Sequence, residues 1–171
     1  MDVITAIRTR RSIRKYKRKE IPENVLKEIL EVARTAPSAA NRQPWELIVV
    51  KDPKLKAELV PVCKNQKFVE ECSIFLVALD DPAQKWGRVD LAIMMDHITL
   101  AAHEKGLGTC WIGAFDKDKV GELLGVPATR TVAVCLTLGY PDESPEARPR
   151  KPMEELVHYD YYGVRQSTTS P

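Results

Sequence analysis

From residue 89 to residue 102, ten of fourteen side chains are apolar. On a helix they cover most of the circumference instead of forming one stripe. A helix apolar all round has to be covered all round. A chain of 171 residues is one domain by length and has little interior to offer it. Part of this helix is therefore expected to lie against a second copy of the chain. Asp90, Asp96 and His97 interrupt the run, and no stretch reaches the roughly 20 unbroken apolar residues that cross a bilayer. The N-terminus has no apolar run of the kind that follows the basic residues of a secretory leader. With 44% apolar and 29% charged residues, the expectation is a soluble protein of the cytoplasm.

Charge is distributed just as unevenly. Residues 8–19 hold eight basic side chains, Arg8, Arg10, Arg11, Arg14, Lys15, Lys17, Arg18 and Lys19, and no acidic one. The other 159 positions carry 18 basic and 24 acidic residues, a net −6. So local a field suits a polyanion, either a nucleic-acid backbone or one small phosphate ligand. A second basic group, Arg148-Pro149-Arg150-Lys151, is held stiff by Pro149 and Pro152. Two compact cationic clusters and the Ser12 hydroxyl match what a phosphomonoester needs, because arginine offers paired donors. Neither a G-x-x-x-x-G-K-[ST] loop nor a G-x-G-x-x-G turn is present. A phosphate here has to be held by side chains.

His97, His103 and His158 stand in no motif and are read as structural or surface residues. Cys63, Cys72, Cys110 and Cys135 form no C-x-x-C pair and have no histidine at ligand spacing. They are read as thiols, Cys110 and Cys135 as buried ones, and no metal site is expected. A phosphate site with no evident acid, base or nucleophile points to a bound cofactor that carries the chemistry.

The periodicity predicts a helix over 2–8 and a second one opened by Pro22 and Glu23. Val25, Leu26, Ile29, Leu30 and Ala33 form its apolar stripe, and Pro37 closes it. Residues 36–45 are a polar, proline-bracketed loop. Residues 47–50 are expected as a strand buried on both faces, 53–60 as a short helix, 73–79 as a strand and 85–105 as the long helix. After Gly106-Leu107-Gly108 comes an apolar segment over 109–115 with little side chain at Gly113 and Ala114. Asp116 caps a helix with Val120, Leu123 and Leu124 inward, and 131–138 is a third strand. Residues 141–152 are polar and proline-rich. One domain is expected over 1–166 with a disordered tail at 167–171. Helices and strands mix without strict alternation, which gives an α+β class.

Four blocks, in order, resemble the nitroreductase family of FMN-dependent oxidoreductases. They are Arg10-Arg11-Ser12-Ile13-Arg14, the loop from Pro37 to Trp45, the segment from Gly106 to Phe115, and Arg148-Pro149-Arg150-Lys151-Pro152. The resemblance runs from residue 3 to about residue 163. It implies an α+β fold with a central, mostly antiparallel sheet flanked by helices. It also implies an intertwined homodimer with two FMN sites at its interface. Arg10 and Ser12, joined by Arg148 and Arg150, would hold the phosphate and ribityl end, with Arg14 near the N1–C2=O edge. Ser38, Asn41 and Gln43 would edge the isoalloxazine, in part from the neighbouring subunit, and Asn65 would face the pyrimidine. Gly113 and Ala114 would bring backbone N–H groups to O4 and N5. Arg11, Pro37, Ala39 and Ile112 belong to the same cofactor-binding set. No side chain is expected to be catalytic in itself.

NAD(P)H is the implied donor, and a nitroaromatic, a quinone or a similar small molecule the acceptor, with ping-pong kinetics. The alternatives are a flavin storage or sensor module, a dehalogenating or flavin-fragmenting branch, and a nucleic-acid binder using residues 8–19. Glycine at 113 departs from the larger, acidic residue of some members. The chain is also short, so part of the helical cover of the active site is expected to be missing.

Overall fold

A computed structural model describes residues 1–165; the predicted tail at 167–171 lies outside the described residues. In chain order the elements are α1 (Val3–Thr9), α2 (Glu23–Arg34), β1 (Trp45–Val50), α3 (Pro53–Val62), α4 (Phe68–Glu71) and β2 (Ile74–Asp80). They continue with α5 (Gly87–Glu104), β3 (Gly108–Ile112), α6 (Lys117–Leu124), β4 (Thr131–Gly139) and α7 (Met153–Leu156). The helix starts carry expected chemistry: Asp2, Asp52 and Asp116 accept first-turn N–H groups at α1, α3 and α6. Pro22 caps α2 instead of opening it, and α3 runs past residue 60 through Pro61.

The four strands form one antiparallel sheet in the order β1-β2-β4-β3. Every residue of β2 is buried, and its period of two feeds two cores. Ile74, Leu76 and Ala78 pack under α2 and α5, while Phe75, Val77 and Leu79 pack on the α3 and α6 side. Each large side chain so buried contributes about 1.5–3 kcal/mol. The sheet also corrects two expectations. Residues 47–50 do send side chains into both cores, Leu47 and Val49 to one and Ile48 and Val50 to the other, but β1 is an edge strand and Leu47, Ile48 and Val49 are only half-buried. The segment after Gly106 is a fourth strand, β3.

Helix α5 sets Leu91, Met94, Met95, Ile98 and Ala102 against the sheet and α2. Its opposite face stays open: Val89 is 51% exposed, and Arg88, Ala92, Ile93, Asp96 and His97 line a shallow apolar trough beside it. On α1, Val3, Ile4 and Ile7 are exposed as well, at 68%, 56% and 53%. The all-round cover that its composition demands is therefore not supplied within one chain.

Two glycines let the N-terminal segment reach the sheet. Gly108 and Gly139 face each other across β3 and β4. A Cβ on Gly108 would come within 2.5 Å of Ile13, and one on Gly139 within 2.8 Å of Tyr16. Ile13 and Tyr16 are both buried in the space so left, and the Tyr16 hydroxyl donates to the Ile13 carbonyl at 2.8 Å. Ser12 then bridges Thr109 in parallel, and Tyr16 bridges Pro141.

Candidate functional site

With Ile13 anchored inward, the extended backbone turns Arg10, Ser12 and Arg14 toward the opposite side. The C-terminal segment is laid beside them by backbone pairs: Lys17 N–H donates to the Tyr140 carbonyl and Asp142 N–H to that of Lys15, both at 2.9 Å. Glu143 accepts the Arg14 N–H at 2.5 Å. The result is one cavity of about 480 Å³, lined by Ile7, Arg8, Arg10, Arg11, Ser12 and Arg14 and by Pro145, Glu146, Ala147, Arg148 and Arg150. The two ends of the chain thus converge on one place. The side chains of Arg8, Arg10, Arg14 and Arg148 have no hydrogen-bond or ion-pair partner among the described residues. Arg11 folds back on the carbonyls of Arg8 and Arg10 at 2.8 and 2.9 Å and closes the C-terminal end of α1.

Two ionisable groups lie beside this corner. Burial raises the Cys110 thiol, although Arg14 and Arg10 are near. Burial lowers His103, helped by the charges of Arg10 and Arg11, and its Nε2 meets the Thr9 hydroxyl at 2.8 Å. All four cysteines are free and buried, with Cys63 pushed up to about 11 and Cys72 to about 12.

From Thr109, next to Ser12, β3 runs to Ile112 and hands over to Gly113 and Ala114, about 13 Å further along the strand. Ile112 is buried, so its side chain belongs to the core. Gly113 and Ala114 are exposed and lie past the last ladder pair, Ile112 with Cys135. A Cβ at Gly113 would meet nothing within 4 Å, so the space above it is open. Gln66, which no sequence motif marks, ties this stretch down. Its Nε2 donates to the Cys63 carbonyl at 2.8 Å and to that of Ala114 at 3.1 Å. Asn65, its neighbour, is exposed.

The third predicted block stands apart. Ser38 accepts the Gln43 N–H at 3.0 Å, so its hydroxyl closes the loop, and the Gln43 amide donates to Asn41. Asp90, buried in the first turn of α5, accepts the Ala39 N–H with both oxygens at 3.2 Å. The signal that could have found Asp90 was a charge inside an apolar helix. The residues 38–43 lie before Trp45, which registers with Asp80 and Thr131, whereas Ser12 is level with Leu138 and beyond β3. Strand spacing puts the two corners about 20 Å apart along the strands and about 19 Å apart across them. One chain cannot bring them to the same small ligand.

Backbone strain gathers in two places. Among the described residues six non-glycine residues have positive φ: Ala40, Asn41 and Gln43 in the predicted loop and Lys64 and Asn65 before Gln66, at 50–57°, with Asp160 the sixth. Such conformations cost on the order of 1–3 kcal/mol each and persist where the surroundings enforce them, often at ligand sites.

These features define a class: a small α+β protein with an arginine-lined cavity at one sheet edge and an open glycine shelf further along it. The donor set fits FMN, since guanidinium groups without a partner among the described residues line the cavity with Ser12, and the shelf leaves room for a flat ring. The sequence profile of the Nitroreductase family matches residues 7–81 and 63–140, and the chain belongs to that family. It is 32% identical to the NADH dehydrogenase of Thermus thermophilus over 92% of this chain and 95% of the other. Nitroreductase A of Vibrio parahaemolyticus superposes with a TM-score of 0.90 at 31% identity, covering 97% of this chain and 79% of that one. The NADPH:FMN oxidoreductase of Vibrio harveyi, solved in complex with NAD+, gives 0.89 at 31% identity, covering 95% and 79%. Among the described residues no helix is long and apolar enough to cross a membrane, and no cluster of His, Cys, Asp or Glu suits a metal ion.

Proposed function

We propose that the protein is a homodimeric, cytoplasmic flavoenzyme that carries electrons from NAD(P)H to small acceptors. The observation that carries this reading is the cavity in which arginines from both chain ends meet without an ion-pair partner among the described residues. FMN, when bound, would supply the redox chemistry between NAD(P)H and a nitroaromatic, a quinone or a similar acceptor. Arg10, Ser12, Arg148 and Arg150 hold its phosphate by charge-assisted hydrogen bonds. Arg14 supplies positive charge to the N1–C2=O edge, where negative charge accumulates on reduction. The N–H groups of Gly113 and Ala114 meet the O4 and N5 edge, and Gln66 keeps that peptide segment from turning. Asn65 faces the pyrimidine, and the loop carrying Pro37, Ser38, Ala39, Asn41 and Gln43 comes from the partner copy. Gly113 adds no side chain above the shelf, so donor and acceptor stack there in turn, which produces ping-pong kinetics. The shelf is open to water, which supplies protons without a dedicated side chain.

An absorption spectrum of the purified protein, followed by anaerobic addition of NADPH or NADH, tests the reading. A yellow protein that bleaches and is reoxidised by nitroaromatics or quinones supports it. A colourless protein that binds DNA defeats it. Flavin that stays oxidised makes the protein a storage or sensor module. Release of halide from a halogenated phenol, with no reduction of nitroaromatics or quinones, places it in a dehalogenating branch.

A further inference from the structure

The arginine cavity holds more positive charge than one FMN phosphate neutralises. Six guanidinium groups and one carboxylate, Glu146, line it, so six positive charges less one negative leave +5. Counting Glu143, whose carboxylate sits on the Arg14 N–H next door, still leaves +4. A phosphomonoester carries about −2 at neutral pH. Like charges gathered in a partly enclosed space repel one another, and four of these six side chains have no partner among the described residues. A cavity in that condition has a place for a second anion.

The surplus can be located. Arg10, Arg148 and Arg150 are assigned to the flavin phosphate and Arg14 to the ring edge, while Arg11 closes the end of α1. Arg8 remains. It stands on the last turn of α1, lines the cavity and has no side-chain partner among the described residues. From Ser12, β3 leads to the Gly113 shelf over about 13 Å. A dinucleotide with its nicotinamide on that shelf is long enough to bring its adenosine ribose back to the cavity. NADH and NADPH share the diphosphate. They differ in the 2′-phosphate, a dianionic monoester that the arginine fork matches.

We propose that Arg8 and the outer part of this cavity bind the 2′-phosphate of NADPH beside the phosphate of FMN, which makes NADPH the preferred donor. The proposal rests on the FMN reading above, so flavin absorbance is measured first, before any nucleotide is added. Colourless wild-type protein ends the FMN reading; every later outcome bears on Arg8 alone.

With the FMN-loaded dimer, calorimetry compares 2′,5′-ADP with 5′-AMP, which lacks the 2′-phosphate. The expected result is at least about tenfold tighter binding of 2′,5′-ADP. Arg8→Ala is expected to remove that difference and to raise the KM for NADPH about tenfold relative to the KM for NADH, while Arg8→Lys restores part of it. Equal affinity for the two adenosine nucleotides in the wild type overturns the proposal. So does an Arg8→Ala variant that weakens both donors alike or loses its flavin. A variant that dissociates into monomers with its nucleotide preference intact assigns Arg8 to the subunit contact and overturns it too.

Discussion

At the Ser12 corner of the sheet, residues 15–17 and 140–142 pair along their backbones, the Glu143 carboxylate accepts the Arg14 N–H, and six arginines end in one cavity. At the opposite corner, residues 38–43 are held as firmly, by Asp90 below and Ser38 within. There, among the described residues, the Asn41 and Gln43 side chains bond only to one another's residue. The first corner is finished within a single chain, and the second leaves strained amides exposed. The difference is geometric. A chain can return its C-terminal segment to its own N-terminus by pairing strands, but it cannot fold one edge of a rigid sheet across to the other. In the proposed dimer a second copy carries the loop to the cavity, and the open apolar faces of α5 and α1 are the surfaces on which such a copy would rest.

The hardest blow to this contrast is a charge on the open face of α5. Ala92→Glu is expected to give a colourless monomer by sedimentation and absorbance, because the loop would no longer meet the cavity. A variant that stays monomeric and fully yellow would show that one chain suffices. Arg10→Ala acts on the finished corner and leaves the subunit contact alone. A lost charge-assisted hydrogen bond of about 1.5–3 kcal/mol weakens FMN retention roughly 10- to 100-fold, measured by equilibrium dialysis, with the dimer intact. Arg150→Ala should behave alike, and retention unchanged in both variants would mean that the phosphate binds elsewhere.

Gln66→Ala is expected to do less. Its flavin stays bound while reduction by NAD(P)H slows several-fold in stopped-flow absorbance, because the Ala114 peptide loses one anchor. An unchanged rate would make Gln66 purely structural.

The smallest effect is a pH dependence at the finished corner. Burial and the nearby arginines place His103 below its ordinary 6.5 in the folded protein. The unfolded chain therefore takes up the proton first, so this group lowers stability as pH falls below 6.5 and has no effect well above it. His103→Gln should flatten the fall in melting temperature between neutral pH and the acid side. If both proteins lose stability in parallel, other groups are responsible.

The individual strands and helices differ in how openly the sequence announced them. The α5 periodicity and the cluster at residues 8–19 were plain, since an apolar run and a charge run are visible at any register. β3 was hidden because Gly108 and Gly113 dilute its pattern, and Gly108 is glycine to admit Ile13. The apolar run of β1 looked like a strand buried on both faces, yet how deeply it is covered is decided by its place at the sheet edge and not by the strand's own residues. Gln66 and Asp90 escaped because an amide or a carboxylate has no periodicity that marks its partner; the bonds to Ala114 and Ala39 span 48 and 51 residues.

By itself, the order of residues determined the α+β class, the surplus of cations at both ends and a helix too apolar to stand alone. These are properties of composition and local spacing, which the 3.6- and 2-residue periods make readable. Tertiary structure alone decided that Arg10 and Arg150 share one cavity while Gln43 lies at the far corner. Contacts such as Glu143 to Arg14, 129 residues apart, depend on strand register and on the packing of two cores, which no local window contains.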